Sequence, residues 1–451
     1  MSFKRRIIVC LITAMVILPI TGCLSISADE LFSLPEVSAE YLKLQAQINE
    51  ILNQGAEFAP PTGGPNRQAV QLVDLNGTGS SEVVAFFAVP GDSSLLVYIF
   101  ELIDGDYVIA EIIDDGVGTD FESVRYVDMD GDGVKELIIG WQMGPALRYM
   151  SIYSIVDFHK QEIVKGVEYT EISIFDMTGN GNEDVVIFRM PTPEAGAVAE
   201  VYSLMQDGEI VQQEARLSTG IESISRILQG NLIGGSPALF VDSDGSFENG
   251  SLVTDILAFH SDIFTNISLY PETNVSEDTV RQEWQRMASA DIKGNGIIKV
   301  PTARLLKTQS ETEYFAIDWY AFRSSGYPSR ELTTYHNIFD EWFLILPDDW
   351  REKVSIRRED SVPGERTIVF SYFDEVDGWH EDFLKIFKLS GDNARQRAVE
   401  GDREMLMTEG TAVYAFELIA PPDSFDLTFN AAMVRDSFRL IYTDWITGSA
   451  S

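Results

Sequence analysis

Nine residues, Asp128-Met129-Asp130-Gly131-Asp132-Gly133-Val134-Lys135-Glu136, constrain this chain more than any other stretch. Carboxylates at positions 1, 3, 5 and 9 with glycine at position 6 match the first half of a calcium loop, in which alternate side chains of a tight turn converge on one hard cation. Without a cation, four anions in so short a turn would repel one another severely. The same outline begins at Asp74, at Asp176 and at Asp291. A turn that recurs at this spacing implies a fold assembled from repeated units.

The flanks of each loop are strand-like. Gln71-Leu72-Val73 leads into the first loop and Val83-Val84-Ala85-Phe86-Phe87 leads out, followed by apolar runs at 94–100 and 107–113 on either side of Asp104-Gly105-Asp106. One unit is therefore about four strands, with the acidic loop between the first and second. The interval from the third loop to the fourth is close to twice the repeat, and Ile227–Val241 fills it with a strand–turn–strand copy that lacks the carboxylates. Five units of roughly 50 residues predict a mainly β chain: a β-propeller of five or more four-stranded blades over 69–340, then a smaller α+β domain over 341–451. A β-sandwich or a linear array of hairpins is the alternative that the period alone leaves open.

The loops resemble the FG-GAP/VCBS repeat family, whose calcium-loop blades also occur in integrin α-subunit propellers; the matching residues span about 70–340. The resemblance implies calcium held by Asp74, Asn76, Thr78 and Glu82 in the first loop, by Asp128, Asp130, Asp132 and Glu136 in the second, and by Asp176, Thr178, Asn180 and Asp184 in the third. The position 7 carbonyls of Ser80, Val134 and Asn182 complete each set. With two carboxylates each, the first and third loops should bind more weakly than the second. Position 12 is Ala85, Ile139 or Ile187, so the acid at position 9 must close the shell, and the β-rich flank excludes a helix–loop–helix sensor. The fourth copy places Lys293 and Lys299 at positions 3 and 9, where a tethered ammonium is expected to replace the ion. Asp242-Ser243-Asp244-Gly245 reads as an ordinary hairpin turn.

At the N-terminus, Lys4, Arg5 and Arg6 precede an apolar run from Ile7 to Ile20, short for a membrane span but suited to a secretory signal. Leu18-Pro19-Ile20-Thr21-Gly22-Cys23 resembles the bacterial lipobox. That resemblance implies removal of residues 1–22, lipidation of Cys23 by palmitate-type chains, a tether over 23–34, and a place on the extracytoplasmic face of the cell membrane. Three positive charges and no negative one leave with the signal, which takes the net charge from −38 to −41. Cys10 leaves as well, so no intramolecular disulfide is expected. Acidity of this order argues against nucleic acid as a partner.

Within 35–68, Ser38–Asn53 reads as a helix, with Tyr41, Leu44, Ile48, Ile51 and Leu52 at helical spacing and Gly55 as its stop. Val275–Ala290 reads as a second, inserted helix through Val280, Trp284 and Met287. After 340 the segments 342–346, 354–356, 366–373, 383–388 and 412–419 read as strands. A final helix is expected, capped by Asp423 or Ser424, with Leu427, Ala431, Val434, Phe438 and Ile441 as its apolar stripe. This order, opened by Leu346-Pro347-Asp348-Asp349-Trp350, resembles the PsbP/Mog1-like α+β modules. Trp342, Trp350 and Trp379 are expected to pack, not to bind sugar.

The four histidines, His159, His260, His336 and His380, show no zinc spacing, and no serine sits in a nucleophile elbow. No catalytic residue and no organic cofactor can be nominated. The expected function is a lipid-anchored, calcium-binding interaction module for a protein or polysaccharide at the cell surface. The alternative is a carbohydrate-active enzyme, a calcium-assisted polysaccharide lyase or a glycosidase.

Overall fold

The computed structural model describes residues 39–91, 94–156, 159–282, 287–307, 312–373, 380–419, 427 and 430–441. Cys23, Trp284, Trp379, Asp423 and Ser424 lie outside them. The chain is mainly β, in six antiparallel sheets of four or five strands, consistent with propeller blades.

Among the described residues helix α1 (Ala39–Asn53) comes first, a helix as its periodicity predicts. Sheet one holds β1 (Glu57–Phe58), β2 (Val70–Val73), β3 (Glu82–Val89), β4 (Ser94–Ile103) and β5 (Asp106–Ile113). Sheet two holds β6 (Asp120–Val127), β7 (Glu136–Gln142), β8 (Arg148–Val156) and β9 (His159–Tyr169). Sheet three holds β10 (Glu171–Phe175), β11 (Asp184–Arg189), β12 (Val198–Leu204) and β13 (Ile210–Arg216). Sheet four holds β14 (Ile221–Asn231), β15 (Pro237–Phe247), β16 (Gly250–His260) and β17 (Ile263–Asn266). This is the degenerate copy.

The second strand in each of sheets one to four carries an apolar run, such as Val83–Phe87 or Ala238–Val241, because both its faces are covered there, and the two-residue period sorts the side chains between neighbours. Val84 and Phe86 of β3 join Leu137, Ile139 and Trp141 of β7 in one cluster, while Val83, Ala85 and Phe87 meet Leu44, Ile48 and Ile51 of α1. Ile138 of β7 packs with Val185 and Ile187 of β11. Val186 and Phe188 then pack with Leu239 and Val241 of β15, and Ala238 and Phe240 face sheet five. Each sheet thus lies face to face with the next. Among the described residues, no buried cluster joins sheet one to sheet five or six.

Sheet five is β18 (Val300–Leu305), β19 (Phe315–Phe322), β20 (Pro328–Asn337) and β21 (Trp342–Leu346). The run 342–346, which the sequence groups with the C-terminal unit, is thus the fourth strand of this sheet, paired with β20 from Thr333↔Leu346 to Asn337↔Trp342. Sheet six contains β22 (Val354–Glu359), β23 (Glu365–Phe373), β24 (His380–Leu389), β25 (Arg403–Glu409) and β26 (Ala412–Leu418), in the order β22-β23-β24-β26-β25. Strand β25 is absent from the sequence reading; its Met405 and Met407 straddle a bulge that blurs the alternation. The short helix α2 (Ala394–Arg397) packs through Ala394 and Ala398 on Phe387 and Leu389 of β24 and Val413 and Ala415 of β26.

Trp342, Trp350, Phe370, Phe383 and Phe416 lock sheets five and six together, so the two tryptophans are core residues as expected. The terminal helix α3 is Ala431–Ser437, capped by Asn430, whose side chain accepts from the Met433 N–H at 2.9 Å. It stops before Phe438, because 438–440 form β27, which pairs with β21. The last described strand therefore returns to sheet five.

Two further expectations fail. Over 275–282 and 287–290 the backbone forms isolated bridges and one 3₁₀ turn, Glu277–Thr279, instead of an inserted helix. Asp242–Gly245 is no hairpin turn: it runs inside β15, and the hairpin comes later, where Phe247 pairs with Gly250.

Candidate metal centres

The four loops share one backbone design. The residue before position 1 pairs with position 9 in every case: Val73↔Glu82, Val127↔Glu136, Phe175↔Asp184 and Ala290↔Lys299. The turn between the first two strands is therefore closed at the same register. The position 1 carboxylate then accepts the position 6 N–H, from Gly79 at 3.0 Å, Gly133 at 3.0 Å, Gly181 at 2.9 Å and Gly296 at 2.6 Å. In the first three loops the position 9 carboxylate accepts the position 2 N–H, from Leu75 at 2.8 Å, Met129 at 2.9 Å and Met177 at 2.8 Å. The side chains of Leu75, Met129 and Met177 are buried beneath the turn, which fixes it to the core.

The second loop gathers the most charge. Oxygens of Asp128, Asp130 and Glu136 lie within 4.8 Å of one another. Asp132 stays at the exposed rim, where it accepts the Val134 N–H at 2.7 Å, so three of the four expected acids converge and the fourth stands beside them. Glu136 is 2% exposed. Burial, with Asp130 and Asp132 nearby, pushes its carboxyl up to about 7, and burial likewise raises that of Asp130. None of the described lysines or arginines forms a salt bridge with these acids. A desolvated anion cluster with no basic partner, made only of oxygen donors, fits a hard divalent cation. Asp128, Asp130, Glu136 and the Val134 carbonyl would hold it, with Asp132 closing the rim.

The first and third loops are thinner versions. Glu82 and Asp184 are buried at position 9, and burial raises both carboxyls, while Asp74 and Asp176 sit half-buried at position 1. Asn76 offers its oxygen to the Thr78 N–H at 3.1 Å, and Asn180 to the Asn182 N–H at 2.8 Å. Thr178 Oγ1 points to Asp176 at 3.4 Å, and Thr78 Oγ1 accepts from the Ser80 N–H at 3.4 Å. These neutral oxygens are in place at the loop but engaged locally.

The structure adds a supporting hydroxyl that motif reading misses. Ser154 on β8 donates to Glu136 Oε1 at 3.2 Å, and Ser203 on β12 supports Asp184 in the same way. Each lies one position beyond the last registered partner of the loop's second strand, so a serine in the third strand opposite position 9 is the available signal.

The fourth loop keeps the turn and replaces the acid. Lys299 is fully buried, and its Nζ donates to Ile297 O at 2.7 Å and Asn295 Oδ1 at 3.1 Å, with Asp291 Oδ1 at 3.7 Å. Burial lowers its basicity. Lys293 does not enter the cage; it turns out to Glu331 Oε2 at 2.9 Å.

The loops stand in one row, each against the next. Lys135 N–H donates to Leu75 O at 2.7 Å, and a Cβ on Gly131 would come within 2.6 Å of Asn182 Oδ1. A Cβ on Gly179 would stand 3.6 Å from the Pro237 ring at the start of β15, and Asn231 N–H donates to Gly296 O at 2.8 Å. Carboxylates engaged by their own backbone amides in this way can bind a cation.

No protein-family model matches the chain, and no curated protein does. Among solved structures, Sqt1 of Saccharomyces cerevisiae is similar at 11% identity, over 75% of this chain and 93% of that one, with a TM-score of 0.28. A protein of Lactobacillus plantarum is similar at 10% identity, over 64% and 91%, with a TM-score of 0.20. Neither likeness bears on function.

Proposed function

We propose that the chain is a lipid-anchored, extracytoplasmic binding module whose first three sheets are pinned by calcium. The sheets are read as propeller-type blades of the FG-GAP/VCBS kind, followed by a C-terminal α+β unit of PsbP/Mog1-like type. Cys23 is the lipid attachment point and places the molecule on the membrane surface. The partner is a protein or a polysaccharide at the cell surface.

One observation carries the metal reading: Asp128, Asp130 and Glu136 bring carboxylates within 4.8 Å of one another, with Asp130 and Glu136 buried and no salt bridge to them from a described lysine or arginine. Face-to-face stacking, with every acidic loop joining a first strand to a second, supports the blade reading. Calcium acts here as a staple between two strands, since each candidate ligand also holds its own turn together. Calorimetric titration after exhaustive chelation tests this. Uptake of calcium with a rise in melting temperature supports it, whereas no heat and no shift would remove the metal from the reading. Mass spectrometry of the Cys23 peptide from the native membrane fraction tests the anchor.

A further inference from the structure

We propose that sheets four and five carry protein-borne cations where sheets one to three depend on calcium, so that the chain is divided into a calcium-responsive first half and a self-sufficient second half. The first half of this statement rests on the calcium reading above; the second rests on Lys299 and Arg281 alone.

Among the described residues, Arg281 and Lys299 are the basic side chains shut from solvent, at 1% and 0% exposure. Both belong to the units whose turns lack the acidic set. Lys299 grows from position 9 of its loop, and its ammonium meets positions 1, 5 and 7, which are ligand positions in the acidic loops. The charge count agrees with this exchange. At their ligand positions loops one and three each present two carboxylates, enough to balance a divalent ion, whereas loop four presents only Asp291, enough for one ammonium.

Sheet four reaches the same end differently. Arg281 pairs with β16 at Leu252, and its guanidinium donates to Asp242 Oδ1 at 3.0 Å. Asp242 also accepts from Ser289 N–H at 3.0 Å, from Ser289 Oγ at 2.9 Å and from Thr254 Oγ1. The cation is covalently part of the chain, so it is present at every external calcium concentration.

Amide hydrogen exchange on the full chain, with calcium and then with EGTA, tests the division. Chelation should speed exchange in strands within 70–216 by at least about tenfold and leave 290–346 within about twofold. Lys299→Met should speed exchange in 290–346 with calcium present, and Lys299→Arg should largely restore it. The double variant Lys293→Asn/Lys299→Glu should make that sheet respond to chelation and raise the calcium stoichiometry by one. If the wild type binds calcium yet 290–346 loosens as much as 70–216, the division is wrong and the calcium reading stands. If no calcium is bound and chelation changes nothing, the calcium reading fails and the division with it. If Lys299→Met leaves exchange in 290–346 unchanged, the ammonium is not the staple and the proposal falls on that ground alone.

Discussion

The carbonyl oxygen of Gly133 lies 2.4 Å from where a Cβ on Gly77 would stand, so the first two loops touch backbone to backbone. Gly77 also has φ +67°, which side-chain-bearing residues rarely adopt. Gly79, in the same loop at φ +83°, has nothing within 4 Å of its Cβ position. Gly79→Ala should therefore cost about 1–2 kcal/mol, the backbone penalty alone. Gly77→Ala should cost distinctly more, because the second loop must move. Urea denaturation of the two variants side by side reads the difference; equal midpoints would mean that the loops tolerate separation.

Asp128 accepts the Gly131 N–H at 2.8 Å and the Gly133 N–H at 3.0 Å with its two oxygens, so its removal frees two amides and one ligand together. Asp128→Ala should destabilise by about 2–4 kcal/mol in calcium, as expected for two charge-assisted bonds. Calorimetry should show one fewer ion bound. Exchange in the Asp291–Lys299 turn should stay as in the wild type.

Trp350 meets Phe383 edge-on at 5.0 Å and Phe370 at 6.0 Å, filling the core between sheets five and six. Trp350→Ala should cost about 3–5 kcal/mol, the usual loss for a large buried aromatic, and Trp350→Phe clearly less. Thermal melts by near-ultraviolet circular dichroism follow this directly. A loss under about 1 kcal/mol for the alanine variant would show that the two sheets do not share a core.

His336 stacks on Phe343 at 5.0 Å, and its Nε2 is closed off from solvent with no hydrogen-bond partner. Burial lowers the ring's pKa to about 3. A histidine whose folded pKa lies below its unfolded value adds stability above the unfolded pKa of about 6.5 and loses it as pH falls toward the folded one. His336→Phe should therefore flatten the fall in stability between pH 6.5 and pH 4, by up to a few kcal/mol. Urea midpoints at pH 7 and pH 4.5, taken for both proteins, cancel the contribution of the carboxylates they share.

The acidic loops, their register and the strands that flank them were legible because position-specific ligand chemistry and two-residue alternation are both local. Lys299 was legible for the same reason, since it occupies a ligand position. What escaped depends on distance along the chain. Asp242 looked like a turn residue beside Gly245, and only Arg281, 39 residues later, makes a buried strand position tolerable for it. The helical spacing of Val280 and Met287 was overruled by bridges to Leu252 and to Tyr270. The final helix was placed too long because Phe438 fits a helical stripe as well as a strand, and pairing with Leu344 chose the strand. Ser154 and Ser203 carry no motif of their own; their role follows from standing across a sheet from Glu136 and Asp184.

Helix α1 covers Val83, Ala85 and Phe87, the face of sheet one turned away from sheet two. Were that face bare, it would offer an apolar surface like those by which neighbouring sheets meet, and a second molecule could continue the series. A repeat able to add units end on end is a potential fibre. By placing Leu44, Ile48 and Ile51 over the first unit, the chain spends fifteen residues on terminating its own growth. Loss of α1 should thus be felt first as self-association, before any loosening of the loops behind it.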